Sequence, residues 1–362
     1  MYNIRFLFIL LGIIIGMSKC SPMQEISFES LIFPNTTYLK GLILDSSFVM
    51  GKSYDIDYYN QYILISAHTG EKEPLIHLFD QNEKKFFANL LPKGRGPGER
   101  LTWGGIQIDH ITGEALFFDS EAQRNTTFQI DTIHNSKKKW QEQITINNFP
   151  VYAYNITPLE NGYIAQGGGK VSSKGKRPRL SLIKNDSIID ILYNTPNVHF
   201  PENYLSIDKI STDFLYSISS DKQKLVCQMT YGMILEFFSI KKDRIIVDTV
   251  RGFIKPIFEL DRHKCVNPID GKTIYGLRDL YATNKYIYAI YIGNTVYKNS
   301  NRIAVFDWNG NPLHLFTTDY KLERLCVDEA NKKIYATGVS PQYENVLLQF
   351  PLQALPPETD MP

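Results

Sequence analysis

The stretch Tyr62–Leu90, YILISAHTGEKEPLIHLFDQNEKKFFANL, decides the fold class. It holds three short runs rich in β-branched and aromatic residues, separated by the polar segments HTGEKEP and DQNEK. Runs of this length, bounded by Gly, Pro, Asn and Asp, are typical of β-strands joined by turns. The stretch therefore predicts three successive strands.

The same plan recurs along the chain, most closely in GGIQIDHITGEALFFDSEAQRNTTFQI. The second strands of the copies are 54, 47, 62, 61 and 48 residues apart, measured at Tyr62, Leu116, Tyr163, Leu225, Tyr286 and Ile334. Repeats of roughly 50 residues, each with about four short strands, are typical of a propeller. The sequence therefore predicts an all-β fold, a six-bladed β-propeller of four-stranded antiparallel blades.

A propeller needs a closed ring, because a single small sheet cannot bury both of its faces. The segment Tyr38–Met50, YLKGLILDSSFVM, precedes the first full copy and could supply a strand to the last blade. The 22 tyrosines and 21 phenylalanines suit packing between blades. We expect the propeller to span residues 37–353, with a C-terminal tail at 354–362.

The first residues predict export. Arg5 precedes an apolar run, Phe6–Met17, which is too short to span a bilayer and suits a signal peptide over residues 1–19. Cys20 follows, as in a bacterial lipobox, although Lys19 stands where a small residue is usual. We expect lipidation of Cys20 and a lipid-anchored linker over residues 20–36; simple cleavage and a retained anchor are the alternatives.

Charge and cysteine content exclude some classes of protein. The formal net charge is +1, from 39 basic and 38 acidic side chains, which gives no attraction to nucleic acid. The four cysteines form no CxxC pair, and three remain beyond Cys20, so a disulfide framework is not expected. Cys227 and Cys326 are predicted to be small buried residues within strands, and Cys265 to be exposed.

The segment Leu91–Glu99, LPKGRGPGE, looks at first like a phosphate-binding loop. No helical periodicity follows it, and it lacks Gly-Lys-Ser/Thr, so neither a P-loop nor a dinucleotide fingerprint is present. We interpret it as a corner from the outermost strand of one blade to the innermost strand of the next. Lys93, Arg95, Glu99 and the following Trp103 are candidate ligand contacts, and the corner would place the first three near one mouth of the ring; loop residues in water or in a local ion pair are the preferred alternative.

Enzyme chemistry is not visible in the sequence. The seven histidines form no HExxH motif, and no G-x-S-x-G nucleophile elbow occurs. No catalytic residue, metal or other cofactor is therefore expected, with Ca²⁺ or Zn²⁺ in the axial channel as the alternative. The carboxylates Asp109, Asp119, Glu99 and Asp328 lie near strand ends, but the sequence does not show which of them face the channel.

Two basic segments, Ser172–Arg179 (SSKGKRPR) and Lys137–Trp140 (KKKW), could contact an anion or a polysaccharide. With a net charge so close to zero, we interpret both as solvated hairpin tips. Trp103 and Trp308 are the aromatic residues most worth testing for ligand stacking, with packing in the core or rim as the alternative.

The GRGPGE corner, the lipoprotein-like N-terminus and the repeats together resemble the six-bladed TolB-like β-propeller lipoproteins of Gram-negative gut bacteria. The resemblance implies the fold and an envelope location, and transfers no catalytic residue. In such relatives an aromatic residue commonly follows the Glu, whereas Arg100 stands here. Some of those bacteria O-glycosylate Asp-Ser/Thr-aliphatic tripeptides, which implies Thr132, Ser187 and Thr249 as acceptors.

The expected function is a non-catalytic ligand- or protein-binding module of the bacterial cell envelope. Its partner would be an envelope protein, a peptide or a glycan, with membrane association through the N-terminal lipid. An outer-membrane lipoprotein on the periplasmic face is slightly preferred over surface display, because CSPMQEISFE is weakly acidic. The alternatives are an axial-channel enzyme (a metal-dependent lactonase-like hydrolase or a polysaccharide lyase) and a structural subunit of an outer-membrane assembly.

Overall fold

The fold was analysed in a computed structural model of the protein. The signal peptide and Cys20 predicted from the sequence, together with Trp103 and Cys265, lie outside the residues that the structure describes. The described residues are 26–46, 53–67, 74–96, 99–102, 104–133, 144–170, 172, 178–193, 214–260, 266–342, 345–353 and 355.

Short strands make up nearly all of the regular structure, with one helical turn, α1 (Ile130–Ile133). The strands are β1 (Thr36–Leu39), β2 (Leu42–Asp45), β3 (Ser53–Tyr59), β4 (Tyr62–Ala67), β5 (Pro74–Asp80), β6 (Lys85–Pro92), β7 (Ile106–Ile108), β8 (Glu114–Asp119), β9 (Arg124–Gln129), β10 (Thr145–Asn148), β11 (Ala153–Leu159), β12 (Gly162–Gly167), β13 (Leu180–Lys184), β14 (Ser187–Leu192), β15 (Phe214–Ile218), β16 (Lys224–Met229), β17 (Met233–Lys241), β18 (Arg244–Ile254), β19 (Glu259–Leu260), β20 (Val266–Asn267), β21 (Tyr275–Ala282), β22 (Ile287–Asn294), β23 (Ser300–Phe306), β24 (Pro312–Asp328), β25 (Lys333–Val339) and β26 (Val346–Pro351).

The strands form six antiparallel blades. Blades 1 to 4 are β3–β6, β7–β10, β11–β14 and β15–β18. Blade 5 is β21, β22, β23 and the first part of the 17-residue strand β24, where Thr317 pairs with Arg302. The second part of β24 is the innermost strand of blade 6, where Leu325 pairs with Ala336 of β25. The predicted six-bladed propeller is confirmed.

The N-terminal strands close the ring. Strand β2 pairs antiparallel with β26, with Leu42 opposite Gln349, and is the fourth strand of blade 6. Strand β1 runs parallel to the first part of β24, with Thr36 opposite Leu315. The hypothesis that Tyr38–Met50 supplies a strand to the last blade is therefore confirmed. One chain segment ties blades 5 and 6 together.

Buried side chains between neighbouring blades form the core. Successive strand residues point to opposite faces of a sheet, so Ile63 and Ile65 of β4 pack against blade 6, while Leu64 packs against blade 2. Four further clusters of this kind join the other neighbouring blades. Burial on both faces explains why a strand such as YILISA reads as one continuous apolar run.

Aspartates at strand ends shape the hairpin turns. Asp80 Oδ1 accepts hydrogen bonds from Asn82 N and Glu83 N, at 2.8 and 3.2 Å. Asp119 and Asp328 hold the turns after β8 and β24 in the same way. Aspartate favours such turns because its short side chain reaches the backbone N–H groups two or three residues on. The apolar-plus-Asp endings in the sequence repeats are therefore structural.

Residues 26–35 precede the closing strands and lie against the outer side of the ring. Phe28 forms a bridge with Gly252 of β18, and Glu29 N donates to Gly252 O at 2.8 Å. Leu31 and Phe33 pack on the cluster between blades 4 and 5. The described part of the expected linker is therefore packed on the propeller.

Candidate functional site

The candidate site is a cavity of about 800 Å³ on the propeller axis. Its wall comes from the innermost strands of all six blades and the residues that flank them. Each blade contributes to this lining, for example through Asp55, Gly105, Asn155, Tyr216, Asp279 and Arg324 in the order of blades 1 to 6. The channel is neither filled by side chains nor purely apolar.

The alternation of strand β3 explains how acids reach the axis. Ile56 is buried in the core between blades 6 and 1. Asp55 and Asp57, on either side of it, share the opposite face and line the cavity. An apolar residue between two acids therefore places both carboxylates toward the channel.

Two carboxylates join neighbouring inner strands. Asp55 Oδ2 accepts a hydrogen bond from Ile106 N of blade 2 at 2.8 Å. Asp279 Oδ2 accepts one from Leu325 N of blade 6, also at 2.8 Å. These contacts hold the cavity wall in place, because each fixes the separation of two adjacent blades.

Both acids have a pKa above the ordinary value of an aspartate. Burial, and then the nearby charge of Asp279, raise the pKa of Asp55 to about 8, although the Ile106 N–H group opposes the shift. Burial also raises the pKa of Asp279, against the opposing charge of Arg324. A carboxyl group with such a pKa can hold a proton near neutral pH.

Arg324 is the cation beside these acids. Its Nε donates to Tyr54 O at 2.6 Å, and Nη1 lies 3.7 Å from Asp279 Oδ1. Burial alone would lower its pKa, but the charges of Asp279 and Asp55 outweigh burial and raise it. Arg324 therefore stays charged and compensates part of the negative charge of Asp279 and Asp55.

Gly105 leaves room between two polar side chains. A Cβ atom built on Gly105 would lie 3.2 Å from Asp55 Oδ2 and 3.3 Å from Asn155 Oδ1. Asn155 Oδ1 also accepts a hydrogen bond from Ile156 N at 2.9 Å. The amide and the carboxylate therefore face each other across the glycine.

A second polar cluster lies further along the inner strands. His110 Nε2 is 3.4 Å from Asp57 Oδ1, and Tyr281 OH is 3.3 Å from the same oxygen and 3.4 Å from His110 Nε2. Burial tends to lower the pKa of His110, but the Asp57 carboxylate outweighs it and raises the pKa. Side chains from blades 1, 2 and 5 therefore meet at one point.

An ion pair between blades 4 and 2 lies beside this cluster. Lys222 Nζ of blade 4 lies 2.8 Å from Asp109 Oδ2 of blade 2. Burial pushes the pKa of Asp109 upward, but the Lys222 hydrogen bond and the N–H groups of Thr112 and Ile111 bring it down to about 2. Of the strand-end carboxylates identified in the sequence, Asp109 faces the channel, whereas Asp119 and Asp328 hold turns.

Two exposed tyrosines stand where blade 3 begins. Tyr152 and Tyr154 are 63% and 44% exposed, and their rings are 5.5 Å apart and nearly perpendicular. Tyr154 borders the cavity. The pair therefore presents aromatic surface beside the cavity.

The GRGPGE corner connects blade 1 to blade 2, as the sequence indicated. Glu99 Oε2 accepts a hydrogen bond from Gly96 N at 2.6 Å, and a Cβ on Gly94 would clash with the Glu99 carboxylate. The corner therefore wraps around its own glutamate. Lys93 is half-buried and Arg95 exposed. Lys93, Arg95 and Glu99 lie outside the cavity lining, and their role in ligand contact stays a prediction.

Arg100, which directly follows Glu99, is fully buried. Its Nε donates to Thr126 Oγ1 at 2.5 Å, and Nη1 donates to Glu99 O at 2.6 Å. Burial lowers the pKa of the guanidinium. Arg100 therefore fixes the corner to blade 2.

The interpretation of Ser172–Arg179 as a solvated tip was wrong for Arg179. This residue is 1% exposed, and its Nη1 and Nη2 lie 3.0 and 2.5 Å from Glu236 Oε1 and Oε2 of blade 4. Its guanidinium also stacks on the Phe214 ring at 5.1 Å. Strand β13 begins at the next residue, so Arg179 belongs to the interface between blades 3 and 4. Lys137–Trp140 lies outside the described residues.

Several other predicted residues have structural surroundings. Cys227 and Cys326 are free thiols and fully buried, as predicted. Trp308 packs in the cluster between blades 4 and 5, and its Nε1 donates to Thr283 O at 3.2 Å. His77 and His314 bond to Asn89 and Thr37.

The three predicted O-glycosylation acceptors differ in exposure. Ser187 is exposed at the start of β14, whereas Thr132 in α1 and Thr249 in β18 are half-buried. Thr132 Oγ1 donates to Gln129 O at 2.7 Å. Glycosylation of these residues stays a prediction.

The part of the chain that the structure describes brings together no group of three or more His, Cys, Asp or Glu side chains suited to hold a metal ion. Within the same residues, no helix has the length and apolar character needed to cross a membrane.

The sequence reasoning missed the inner-strand residues Asp55, Asp57, Asn155, Asp279 and Arg324. A signal was present, because SYDIDYY alternates acids with an apolar residue inside a strand. The partners of these residues come from other blades, which the linear sequence does not reveal.

Comparison with known proteins agrees with this architecture. A family model described as TolB-like 6-blade propeller-like matches residues 32–330. No curated protein matched the sequence. A Bacteroides fragilis protein described as exported is 13% identical, with a TM-score of 0.58, covering 91% of this chain and 100% of that chain. A DUF4221 family member from Bacteroides vulgatus is also 13% identical, with a TM-score of 0.51, covering 92% and 99%. At such identities, the likeness shows the fold alone.

Proposed function

Because this chain belongs to the TolB-like 6-blade propeller-like family, we propose that it is an envelope propeller that binds a small polar ligand in its axial cavity without chemistry. The observation that carries the proposal is the cavity itself, about 800 Å³ and walled by all six blades. Small-molecule sites are commonly concave pockets of roughly 300–1,000 Å³ with a few well-placed polar groups.

The polar groups of the wall favour binding because they are already fixed. Asp55 and Asp279 are held by N–H groups of the adjacent blades. Each carboxylate oxygen can accept a further hydrogen bond, so the same acids can hold the wall and contact a ligand. A site whose side chains are held before binding loses little conformational entropy when the ligand arrives.

A ligand screen by thermal unfolding tests this function. Wild type and Gly105→Leu are compared, because a leucine side chain at this position extends into the space between Asp55 and Asn155. Gly105→Ala is the matched control, since its Cβ makes tight contacts but keeps the cavity open. A cavity ligand at about 100 times its dissociation constant adds about 2.7 kcal/mol to stability. We expect this gain in wild type and Gly105→Ala and its loss in Gly105→Leu. Ligands that stabilise all three proteins equally would contradict the proposal.

Envelope location through a lipid on Cys20 is part of the proposal. It is supported by Arg5, the apolar run Phe6–Met17 and the position of Cys20. Metabolic labelling with a fatty-acid probe should mark the wild type and leave Cys20→Ser unlabelled, with the variant released from the membrane fraction. Equal labelling of both proteins would contradict anchoring at Cys20. Protease treatment of intact cells separates the proposed periplasmic face, where the protein is protected, from surface display.

A second candidate function is acid–base catalysis in the same cavity. It is favoured by the contact of Asp57, His110 and Tyr281 within 3.3–3.4 Å. A raised His110 pKa suits proton donation near neutral pH. Turnover of a cavity ligand that His110→Asn abolishes, without loss of affinity, would establish catalysis. Unchanged ligand recovered after prolonged incubation would leave binding as the function.

A further inference from the structure

We propose that the ligand of the axial cavity is a short neutral glycan whose terminal sugar packs on Tyr152 and Tyr154. The inference rests on the proposed cavity-binding function. It commits to one class of ligand, and peptides, amines and anionic glycans are outcomes that would overturn it.

Two exposed tyrosines beside the cavity favour a sugar ligand. Large aromatic rings are usually buried, yet Tyr152 and Tyr154 are 63% and 44% exposed. Their perpendicular arrangement at 5.5 Å leaves ring surface available beside the cavity. Tyrosine suits such a surface because an apolar ring and a hydroxyl group occur together. The apolar C–H face of a pyranose can pack on the ring while its hydroxyl groups reach the polar wall.

The backbone is adapted to one of these rings. Gly167 has a φ of +80°, and a Cβ there would lie 3.1 Å from Cδ2 of Tyr154. A larger residue would therefore be strained and would press on the ring. Gly167 thus leaves space for Tyr154 beside the cavity.

The polar wall behind the rings matches hydroxyl groups. Asn155 directly follows Tyr154, and its Oδ1 accepts from Ile156 N. Its amide group can donate two hydrogen bonds. Across Gly105, the Asp55 carboxyl group accepts, and its raised pKa also lets the protonated form donate near neutral pH. A sugar hydroxyl both donates and accepts, so it can pair with either group.

The charge of the lining excludes anionic glycans. Six carboxyl side chains line the cavity: Asp55, Asp57, Asp109, Glu160, Asp221 and Asp279. Asp55 holds a proton near neutral pH, and His110, whose pKa is raised, adds to the cations Lys222 and Arg324 when it is protonated, which leaves five other acids against three cations. A uronic acid would meet net repulsion in a site with low dielectric. Lys222 is already paired with Asp109, and Arg324 lies between the acids and backbone carbonyl groups. A neutral ligand avoids this repulsion.

The far part of the cavity favours a short ligand or a chain end. The Lys222–Asp109 pair joins blades 4 and 2, and the contact of Tyr281 with Asp57 joins blades 5 and 1, so each bridges past one intervening blade on the channel side. These contacts narrow the channel, which disfavours a polymer threaded through the ring. A glycan end that enters beside the tyrosines would leave both contacts intact.

The test is a glycan array followed by calorimetric titration with the full chain. Cellotriose, maltotriose and the best neutral array glycan are the neutral probes, and trigalacturonate is the anionic probe. We expect at least one neutral glycan to bind about tenfold or more tightly than trigalacturonate, a difference of about 1.4 kcal/mol. Tyr154→Ala should weaken binding about tenfold, and Tyr154→Phe should retain most of it. Tyr38→Ala, which removes an exposed tyrosine of β1, should change nothing.

The outcomes distinguish failure of the glycan inference from failure of the proposed cavity-binding function. Absence of any neutral glycan ligand, preference for trigalacturonate, or binding that Tyr154→Ala leaves unchanged would overturn the glycan inference. If peptides or amines bind wild type and lose binding in Gly105→Leu, the cavity function stands and the ligand class is wrong. If glycans bind wild type and Gly105→Leu equally, both proposals are wrong.

Discussion

Buried Arg179 and half-buried Arg324 differ in how their charge is compensated. Arg179 meets one carboxylate, Glu236, through two nitrogen–oxygen contacts of 3.0 and 2.5 Å. Arg324 lies near two acids, Asp279 and Asp55, and its Nε donates a hydrogen bond to the backbone carbonyl oxygen of Tyr54. The first site lies within the interface between blades 3 and 4, whereas the second borders a cavity of about 800 Å³.

This contrast distinguishes structural from functional charge in a ring of blades. At Arg179 the charges are equal in number and the geometry is bidentate, so the pair is complete without a ligand. Around Arg324 the carboxylates outnumber the cation, and the raised pKa of Asp55 records the imbalance. Unbalanced charge beside a void is suited to a ligand. The following predictions test this contrast.

The largest loss of stability is expected when the buried Arg179–Glu236 ion pair is broken. Arg179→Met leaves Glu236 buried without its partner, which should destabilise the protein by about 3–5 kcal/mol. The double variant Arg179→Met/Glu236→Leu should be more stable than Arg179→Met alone, because no buried charge remains. Urea unfolding of the three proteins measures the differences. A loss below about 1 kcal/mol for Arg179→Met would show that water reaches Glu236.

Beside the cavity, Arg324→Met should destabilise less, by about 2 kcal/mol near pH 6, because protonated Asp55 needs little compensation there. The loss should grow toward pH 9, where Asp55 ionises without a cation beside it. Urea unfolding at the two pH values checks the trend. An effect that is the same at both would contradict the coupling of Arg324 to these acids.

A pH profile isolates Asp55. Its folded pKa of about 8 lies above the ordinary value of 3.8. Its stabilising contribution is therefore complete below about pH 4 and is lost as pH rises toward about 8. The slope cannot exceed about 1.4 kcal/mol per pH unit, and water in the cavity should reduce it.

Two reciprocal variants sharpen that profile. In Asp55→Asn, the decrease in unfolding free energy between pH 4 and pH 8 should be smaller than in wild type by about 1 kcal/mol or more. The contact with blade 2 is kept, because the amide oxygen can still accept the hydrogen bond from Ile106 N. Asn155→Asp places an acid at the corresponding inner-strand position of blade 3 and should steepen the slope. Parallel profiles for wild type and Asp55→Asn would show that Asp55 titrates normally.

The smallest effect is expected at the GRGPGE corner. Arg95 is exposed, so Arg95→Ala should change stability by less than about 0.5 kcal/mol. The affinity of a cavity ligand should also stay within about twofold, because the corner is not part of the lining. Calorimetric titration of Arg95→Ala measures the affinity. A clear loss of affinity would show that the corner is part of the ligand site.

The repeat pattern made the fold predictable, because every blade must bury both faces of similar short strands. The markers Tyr62, Leu116 and Ile334 lie in the second strands of their blades. The corner at Leu91–Glu99 was also readable, since local glycine and proline chemistry sets the turn. These features depend on residues that are neighbours in sequence.

The site was less predictable because its contacts join distant blades. Arg179 looked like one member of a basic run, yet its partner Glu236 lies 57 residues away. Asp55 and Asp279 are separated by four blades in sequence and meet at the axis. Charge counts along the chain could not show that six acids line one cavity.

Ligand binding in the axial cavity is best tested by a crystal structure of the protein with its tightest ligand from the thermal screen. We expect ligand density on the propeller axis, beside Asp55 and Asn155 and reaching Tyr154. Density confined to the outer loops, with solvent in the cavity, would rule out this binding site.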